Sequence, residues 1–495
     1  MIRERADVAI LGAGFAGSVL AMVLRRLGRS VVLVERGAHP RFAVGESSTP
    51  LANLLLESLA QTYDLPRLAP LAEYGPWLRA YPHLACGVKR GFTFFKHEEG
   101  QPFRPRGDRA NELLVGANPS DDAADTHWFR EHVDHFLLTE AQALGAGYRD
   151  RTDVATVQGG PGAWSLAGRR DGQAVDLSAS FLIDATGPGG ALCRAFGVPT
   201  DPDELLTNSW SLYSHFADVG RFGDQYRDSG GNAAAHPYPC DDAALHHVLT
   251  DGWFFVLRFN NGLTSAGPVV DGTRRTPDAE LSPEAEWNAL MRCYPSLEAQ
   301  FAEARPVRPF IRTGRLQRRA RQAVGPGWAL LPHAAYFLDP LFSGGNAHTL
   351  LGVERLGRIF QAHWGRPSLE KELAAYERSL FREVAFLDRL IHGCYLAFRR
   401  FDLLSSYTMY YFAGAIHSEG RRRRGEAGLG DEFLFSHDED FRAALWRAHA
   451  MLGRLVQQPA GSGAAEFQRQ TARDISGFNP AGLCDPVRNN LYPFV

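Results

Sequence analysis

Residues Ala6 to Leu11 (ADVAIL) form an apolar run that passes without a break into Gly12-Ala13-Gly14-Phe15-Ala16-Gly17. Ser18 to Leu27 then reads as a helix, and Ser30 to Val34 (SVVLV) is a second apolar run that stops at Glu35. Strand, glycine loop, helix and strand in this order make a complete βαβ unit, which commits the chain to a parallel sheet with a crossover helix. Gly12 permits the tight turn, Gly14 lets the backbone approach a pyrophosphate, and Gly17 lets helix and strand pack closely. The helix N-terminus favours phosphate charge. Glu35, eighteen residues past Gly17, is placed to accept hydrogen bonds from an adenosine ribose. A glycine-rich loop alone is also a plain connection. Here all the parts agree, and the segment reads as an adenine dinucleotide site.

With 495 residues, 45% hydrophobic and 22% charged, the chain can bury a large core in two or three interlocked subdomains. A formal charge of −3 gives no reason to expect nucleic acid, and the basic run Arg421 to Arg424 reads as a solvated loop or helix end. Six scattered cysteines without a CxxC pair argue against a metal site and a disulfide scaffold, and fit a reducing cytoplasm. Neither an export signal nor a stretch of eighteen apolar residues is visible, so no membrane span is expected.

Beyond Glu35 the loop Arg41 to Pro50 (RFAVGESSTP) offers flexible backbone and small donors around Glu46 and Ser47, ahead of a helical stretch from Leu51 to Leu59. Trp128 to Ala143 has helical periodicity, with Arg130 and Asp134 sharing a face. A strand from Ser180 to Ile183 runs into Asp184-Ala185-Thr186-Gly187, a small-residue turn that a parallel sheet would bring beside the first glycine loop. Trp210 to Phe216 and Trp253 to Phe259 are aromatic-rich β segments, and Asn260-Asn261-Gly262 reads as a hairpin turn. Trp328 to Pro340 returns to the dinucleotide layer, and Ser343-Gly344-Gly345 opens a long helix whose amides suit an anion. After Arg366 the chain is mostly helical, with an aromatic stretch from Tyr395 to Phe412.

The set GAGFAG, VGESSTP, THWFR, LIDATG and FLDPLFSGG, spread along residues 1 to 360, resembles the flavin-dependent halogenases, a branch of the FAD monooxygenases with the hydroxybenzoate-hydroxylase fold. The last hundred and thirty residues carry none of these motifs. The resemblance implies that Gly12, Gly14, Ala16, Gly17, Glu35 and Arg36 hold the ADP half of FAD. It places Glu46 and Ser47 along the cofactor, Arg130 within its reach, Asp184 and Gly187 on its phosphate side, and Asp339, Pro340, Gly344 and Gly345 at the flavin face. Ser343, Gly344 and Gly345 would border the halide, chloride or bromide.

The chemistry so implied is oxidative: reduced flavin and oxygen turn halide into hypohalous acid, which travels to a lysine that holds the electrophile against an electron-rich ring. An amine can form a haloamine or donate a hydrogen bond, and burial lowers its pKa toward either task. The segment Cys86-Gly-Val-Lys89-Arg-Gly91-Phe-Thr-Phe-Phe-Lys96 is similar to the family's lysine strand, with Lys89 the first choice and Lys96 the second; an exposed strand lysine is the bland alternative. Three departures from the family stand out. Trp253-Phe-Phe255-Val-Leu257-Arg258 replaces WxWxIP, Pro332-His333 stands where Gly-Asp is common, and the loop reads SGG rather than STG. Phe342 occupies the place of a glutamate that orients indole in tryptophan halogenases, which disfavours free tryptophan and favours a phenol or pyrrole, free or on a carrier protein.

The expected architecture is mixed α/β: a Rossmann-type FAD-binding domain from residues 1–200 and 310–365, an inserted β-rich substrate region at 201–309, and a helical C-terminal cap at 366–495. The expected activity is FAD-dependent aromatic halogenation. The alternatives are a hydroxylating monooxygenase or dehydrogenase without halide chemistry and, more remotely, a non-catalytic flavoprotein. A single GxGxxG fingerprint leaves no NAD(P)H domain, so a separate flavin reductase is the expected partner.

Overall fold

The computed structural model describes residues 2–428 and 430–494. In it β1 (Ile2–Leu11), α1 (Phe15–Arg26) and β2 (Val31–Val34) form the first βαβ unit. α2 (Pro50–Thr62) follows the VGESSTP loop, and the chain continues through β3 (Cys86–Lys89), β4 (Gly91–Lys96), β5 (Glu112–Gly116) and β6 (Asp125–Trp128). α3 (Arg130–Ala143) and β7 (Gly147–Arg149) lead to the long strand β8 (Gln173–Asp184). Then come β9 (Ser209–Ala217), β10 (Ala244–Val248), β11 (Gly252–Arg258), β12 (Leu263–Asp271) and β13 (Trp328–Leu330). The helices α4 (Gly344–His363), α5 (Leu369–Ala397) and α6 (Met409–Arg423) follow.

The dinucleotide sheet runs β13-β8-β1-β2-β7, all parallel. Residues 8–11 of β1 and all of β2 are buried, as strands covered on both faces must be. α1 buries Phe15 through Leu24 almost completely, because it lies between the sheet and the neighbouring helices α3 and α4. The strand ends carrying Gly12, Glu35, Ala185 and Leu331 therefore open on one crevice.

A second, mainly antiparallel sheet runs β9-β12-β11-β10-β4-β5. It is wider than the 201–309 segment, since it also recruits β4 and β5 from the first quarter of the chain and Leu491–Tyr492 from the last. The expected hairpin at Asn260-Asn261-Gly262 joins β11 to β12, with Gly262 at φ +82. The helix expected from Trp128 starts only at Arg130. Residues 125–128 are a strand instead, because β6 pairs with β3 in a two-stranded ribbon that aligns Cys86 with Trp128 and Lys89 with Asp125.

The C-terminal helices are held on by their own aromatics: Tyr395, Phe398, Phe401, Tyr407, Tyr410, Tyr411 and Phe412 are all buried. In the basic run, Arg421 pairs with Asp431, Arg422 with Glu354 and Arg424 with Glu426, while Arg423 makes no ion pair among the described residues. No helix of the described residues is long and apolar enough to cross a membrane.

Candidate active site

Gly12 sits at φ +100, and a Cβ there would lie 2.5 Å from the Ala185 carbonyl oxygen. A Cβ on Gly17 would meet the Gly12 oxygen at 2.1 Å. These two glycines are fixed by the protein's own packing. Gly14 is different: the nearest atoms to its Cβ position are Asp134 Oδ2 at 3.4 Å and one guanidinium nitrogen each of Arg130 and Arg41 at 3.8 Å. α1 starts at Gly14 with no side-chain cap and no acidic residue in its first turn. Free amides flanked by two cations fit a pyrophosphate.

Glu35 accepts from the Ala13 and Gly37 amides and pairs with Arg41 at 3.1 Å. Burial pushes its pKa up, but Arg41 and the two amides outweigh it, so the carboxyl stays below its usual range. Arg36, assigned to the ADP end from the sequence, is exposed and bonds nothing in the crevice among the described residues. The arginine that does stand beside Gly14 and Glu35 is Arg41, six residues beyond Glu35; its signal is only proximity, which a loop conceals.

Arg130 grips Asp134 through two nitrogens, 2.8 and 2.9 Å, and donates to the carbonyls of Val44 and Gly45. Its guanidinium also lies over the Phe15 ring, 4.7 Å from the centroid. The Arg130–Asp134 ion pair is thus buried and ties α3 to the loop that carries Glu46 and Ser47. Glu46 bonds His215 of β9 at 2.8 Å, and Ser47 bridges to His127 of β6. One loop thereby connects the dinucleotide crevice, the large sheet and the β3–β6 ribbon.

Asp184 does not face the crevice with its carboxylate. It accepts from the Thr186 amide and hydroxyl and from the Leu192 amide, and so holds the turn on which Gly187 sits at φ +60. His333, standing where Gly-Asp is common, bonds the Ala185 carbonyl through Nε2 at 3.0 Å. Asp339 is likewise turned away from the crevice: it accepts from Tyr395 at 2.6 Å and Ser209 at 2.7 Å, and burial raises it to about 6 against those bonds. What the Asp339-Pro340 loop can offer a ring is its backbone. Next to it, Ser343 adopts φ +53, and α4 begins at Gly344 and Gly345 with neither cap nor acidic first turn.

Several buried polar atoms here lack any partner among the described residues, among them Arg41 Nε, Ser47 Oγ, His333 Nδ1 and Asn346 Nδ2. Buried donors and acceptors without partners are costly, and a run of them between the Gly14 amides and the α4 N-terminus fits a long polar cofactor such as FAD.

Lys89 is fully buried. Its Nζ donates to the Ser48 carbonyl and lies 4.1 Å from the Phe92 ring centroid, and Asp125 faces it across the ribbon. Burial drives the lysine's pKa down against the charges of Asp125 and Glu419, and drives that of Asp125 up against the charge of Lys89. Lys96, the last residue of β4, bonds the Leu249 carbonyl at 3.3 Å beside Asp251 and Arg399, away from this cluster. Phe92 also walls a cleft together with Tyr411, Phe412, Ile416 and Phe494, with Glu419 lining it and Arg423 exposed beside it. Phe342 stacks on Tyr411, ring centroids 4.2 Å apart. Glu419 was not legible in the sequence, because its distance along the chain from Lys89 gives no local pattern.

Residues 7–328 match the model of the FAD dependent oxidoreductase family. The chain is therefore an FAD-dependent oxidoreductase. It is 30% identical to the tetracycline 7-halogenase of Kitasatospora aureofaciens over 98% of this chain and 90% of that one. It is 29% identical to the monodechloroaminopyrrolnitrin halogenase PrnC of Pseudomonas fluorescens, over 86% of this chain and 75% of that one. The solved structure of halogenase PltM in complex with phloroglucinol and FAD superposes with a TM-score of 0.87 at 25% identity, covering 98% of this chain and 99% of that one. Within the oxidoreductases the chain belongs to the flavin-dependent halogenases. The likeness extends through the C-terminal helices, where the sequence motifs had stopped.

Proposed function

We propose that this protein halogenates a phenol-type ring bound in the Phe92–Tyr411 cleft, with Lys89 holding the electrophile. The carrying observation is the position of Lys89: a buried amine that donates to the carbonyl of Ser48, on the loop that borders the dinucleotide crevice, and that lies against Phe92, a ring that also walls the aromatic cleft. The amides at Gly14, with Arg41 and Arg130, would hold the pyrophosphate, and Glu35 the adenosine side. Ser47, His333 and Asn346 would bond the remainder of FAD. The α4 N-terminus at Ser343, Gly344 and Gly345 would seat the halide.

Bound and reduced, the cofactor supplies with oxygen the oxidation of halide to hypohalous acid. Lys89, its pKa lowered by burial, then either donates a hydrogen bond to the hypohalous acid or takes the halogen on nitrogen. The buried walls keep water from the electrophile until a ring arrives. In this reading reduced flavin comes from a separate reductase, which the single dinucleotide fingerprint favours.

The test is product mass after incubation with a flavin reductase, NADH, oxygen, bromide or chloride, and a panel of phenols, indoles, pyrroles and a carrier-bound pyrrole. Halogenated phenols support the proposal. Hydroxylated products, or fast reduction of bound flavin by NAD(P)H without a reductase, replace it with the hydroxylase reading.

A further inference from the structure

Glu419 is buried, with 6% of its surface exposed, yet it lines the cleft. It projects from α6 on the same face as Tyr411, Phe412, Ala415 and Ile416, so its carboxyl borders the space an aromatic ring would fill. No salt bridge and no side-chain donor engages it among the described residues; the one group that meets its carboxyl is the Leu51 amide in the first turn of α2, which pulls its pKa down and leaves the rest of its acceptor capacity free. Around it stand Asp125 and Lys89 from the ribbon and Arg423 from its own helix. A buried carboxyl with free acceptor capacity is costly unless a donor meets it there, and the cleft is where the donor would come from.

We infer that Glu419 is a catalytic, specificity-determining residue that accepts the hydrogen bond, and then the proton, of a ring hydroxyl on the substrate. This rests on the halogenation reading and names the functional group the cleft selects. Burial, and then the charge of Asp125, push the Glu419 carboxyl up to about 8, which moves it toward a phenol's acidity and makes the transfer less uphill.

The step balances as follows. The phenolic proton passes to Glu419 while a ring carbon, ortho or para to the oxygen, bonds the halogen of hypohalous acid. The O–X pair leaves with the oxygen as hydroxide. The ring C–H proton lost on rearomatisation converts that hydroxide to water, and Glu419 returns its proton to the phenolate oxygen. Phenol and hypohalous acid thus give halophenol and water.

The experiment compares resorcinol with 1,3-dimethoxybenzene, which keeps the electron-rich ring but has no hydroxyl proton. In the wild-type protein loaded with oxidised FAD, resorcinol is expected to bind more tightly than its dimethyl ether. Measured above pH 8, where Glu419 is ionised, Glu419→Gln should raise the resorcinol Kd about tenfold while that of the ether moves little, as loss of a charge-assisted hydrogen bond predicts. With reductase, NADH, oxygen and bromide, kcat on resorcinol should fall by about a hundredfold, and the resorcinol-to-ether ratio of kcat/KM should collapse. Glu419→Asp should recover part of the ratio.

Equal losses on both rings, in binding and in turnover, would make Glu419 a packing residue and overturn the inference. If the wild-type protein makes no halogenated product but the hydroxyl-dependent binding is still lost in Glu419→Gln, the halogenation reading falls and the recognition role stands. If binding is insensitive to the hydroxyl in the wild type, the inference falls whatever the turnover.

Discussion

Phe433 covers Gly344: a Cβ on this glycine would lie 3.2 Å from Phe433 Cζ. The ring comes from the segment beyond α6, where the Phe433 amide donates to Glu383 Oε1 and the ring stacks on His348 at 4.8 Å. The SGG loop of this chain is thus matched to a distant aromatic, and the threonine found in STG loops would press on the Phe433 ring. Gly344→Thr should cost about 1–3 kcal/mol through overpacking. Adding Phe433→Leu should restore most of it, as thermal unfolding of the single and double variants would reveal. Additive effects would show that the two residues do not share the space.

The three glycines of the fingerprint should fail in different ways. Gly17→Ala places a methyl against a backbone oxygen and should leave little folded protein. Gly14→Val meets only side-chain atoms at 3.4 Å or more, so it should fold. It should nevertheless be colourless, because its branches fill the space reserved for pyrophosphate. Far-UV circular dichroism together with the flavin absorbance band decides this, and full flavin content in Gly14→Val would remove the phosphate role from that loop.

Glu383 carries a buried charge network, accepting from His348 at 2.6 Å and from Arg355 at 2.7 and 3.1 Å. Burial would raise its pKa, but Arg355 and His348 outweigh that and hold it well below the ordinary value of 4.5. A depressed folded pKa means the unfolded state binds the proton more tightly. The stabilisation is therefore present above pH 4.5 and lost as pH falls below it. Glu383→Gln should be about 3–5 kcal/mol less stable near neutral pH, since it leaves Arg355 buried and unpaired. Its stability should also fall less steeply in acid, and parallel urea titrations at several pH values would measure both effects.

The βαβ unit and the β11–β12 hairpin were readable because each is encoded over a short window by periodicity and turn chemistry. The β3–β6 ribbon was not, for its strands are four residues each and its register is set by partners far apart in sequence. For the same reason, the residues nearest the candidate chemistry divided. Lys89 stood in a recognisable segment, whereas Arg41, Glu419 and Phe433 act through proximity that only folding creates. Asp184 and Asp339 show the converse: each sits in a legible motif, yet its carboxylate is spent on backbone and hydroxyl donors that hold a loop in shape.

The last prediction separates chemistry from cofactor binding at Lys89. If the amine positions the electrophile, Lys89→Ala should keep FAD and NADH-driven oxygen consumption but make no halogenated product. Lys89→Arg should fail as well, because guanidinium is too basic and too poorly nucleophilic to carry the halogen. Both variants leave Asp125 with altered charge compensation in a buried site, so loss of product could follow from misfolding. Lys89→Met combined with Asp125→Asn removes both charges and keeps the volume, and it should fold, bind FAD and still be inactive. Lys96→Ala is the control, since that lysine meets the Leu249 carbonyl at the far end of β4. Burial lowers the Lys89 pKa, so the free amine appears nearer neutrality than in an ordinary lysine. If the amine itself takes the halogen, product formation at constant hypohalous acid supply should rise with pH through that region in the wild type. Retained product in the Met/Asn variant would remove Lys89 from the reaction, and loss in Lys96→Ala alone would transfer the role to Lys96.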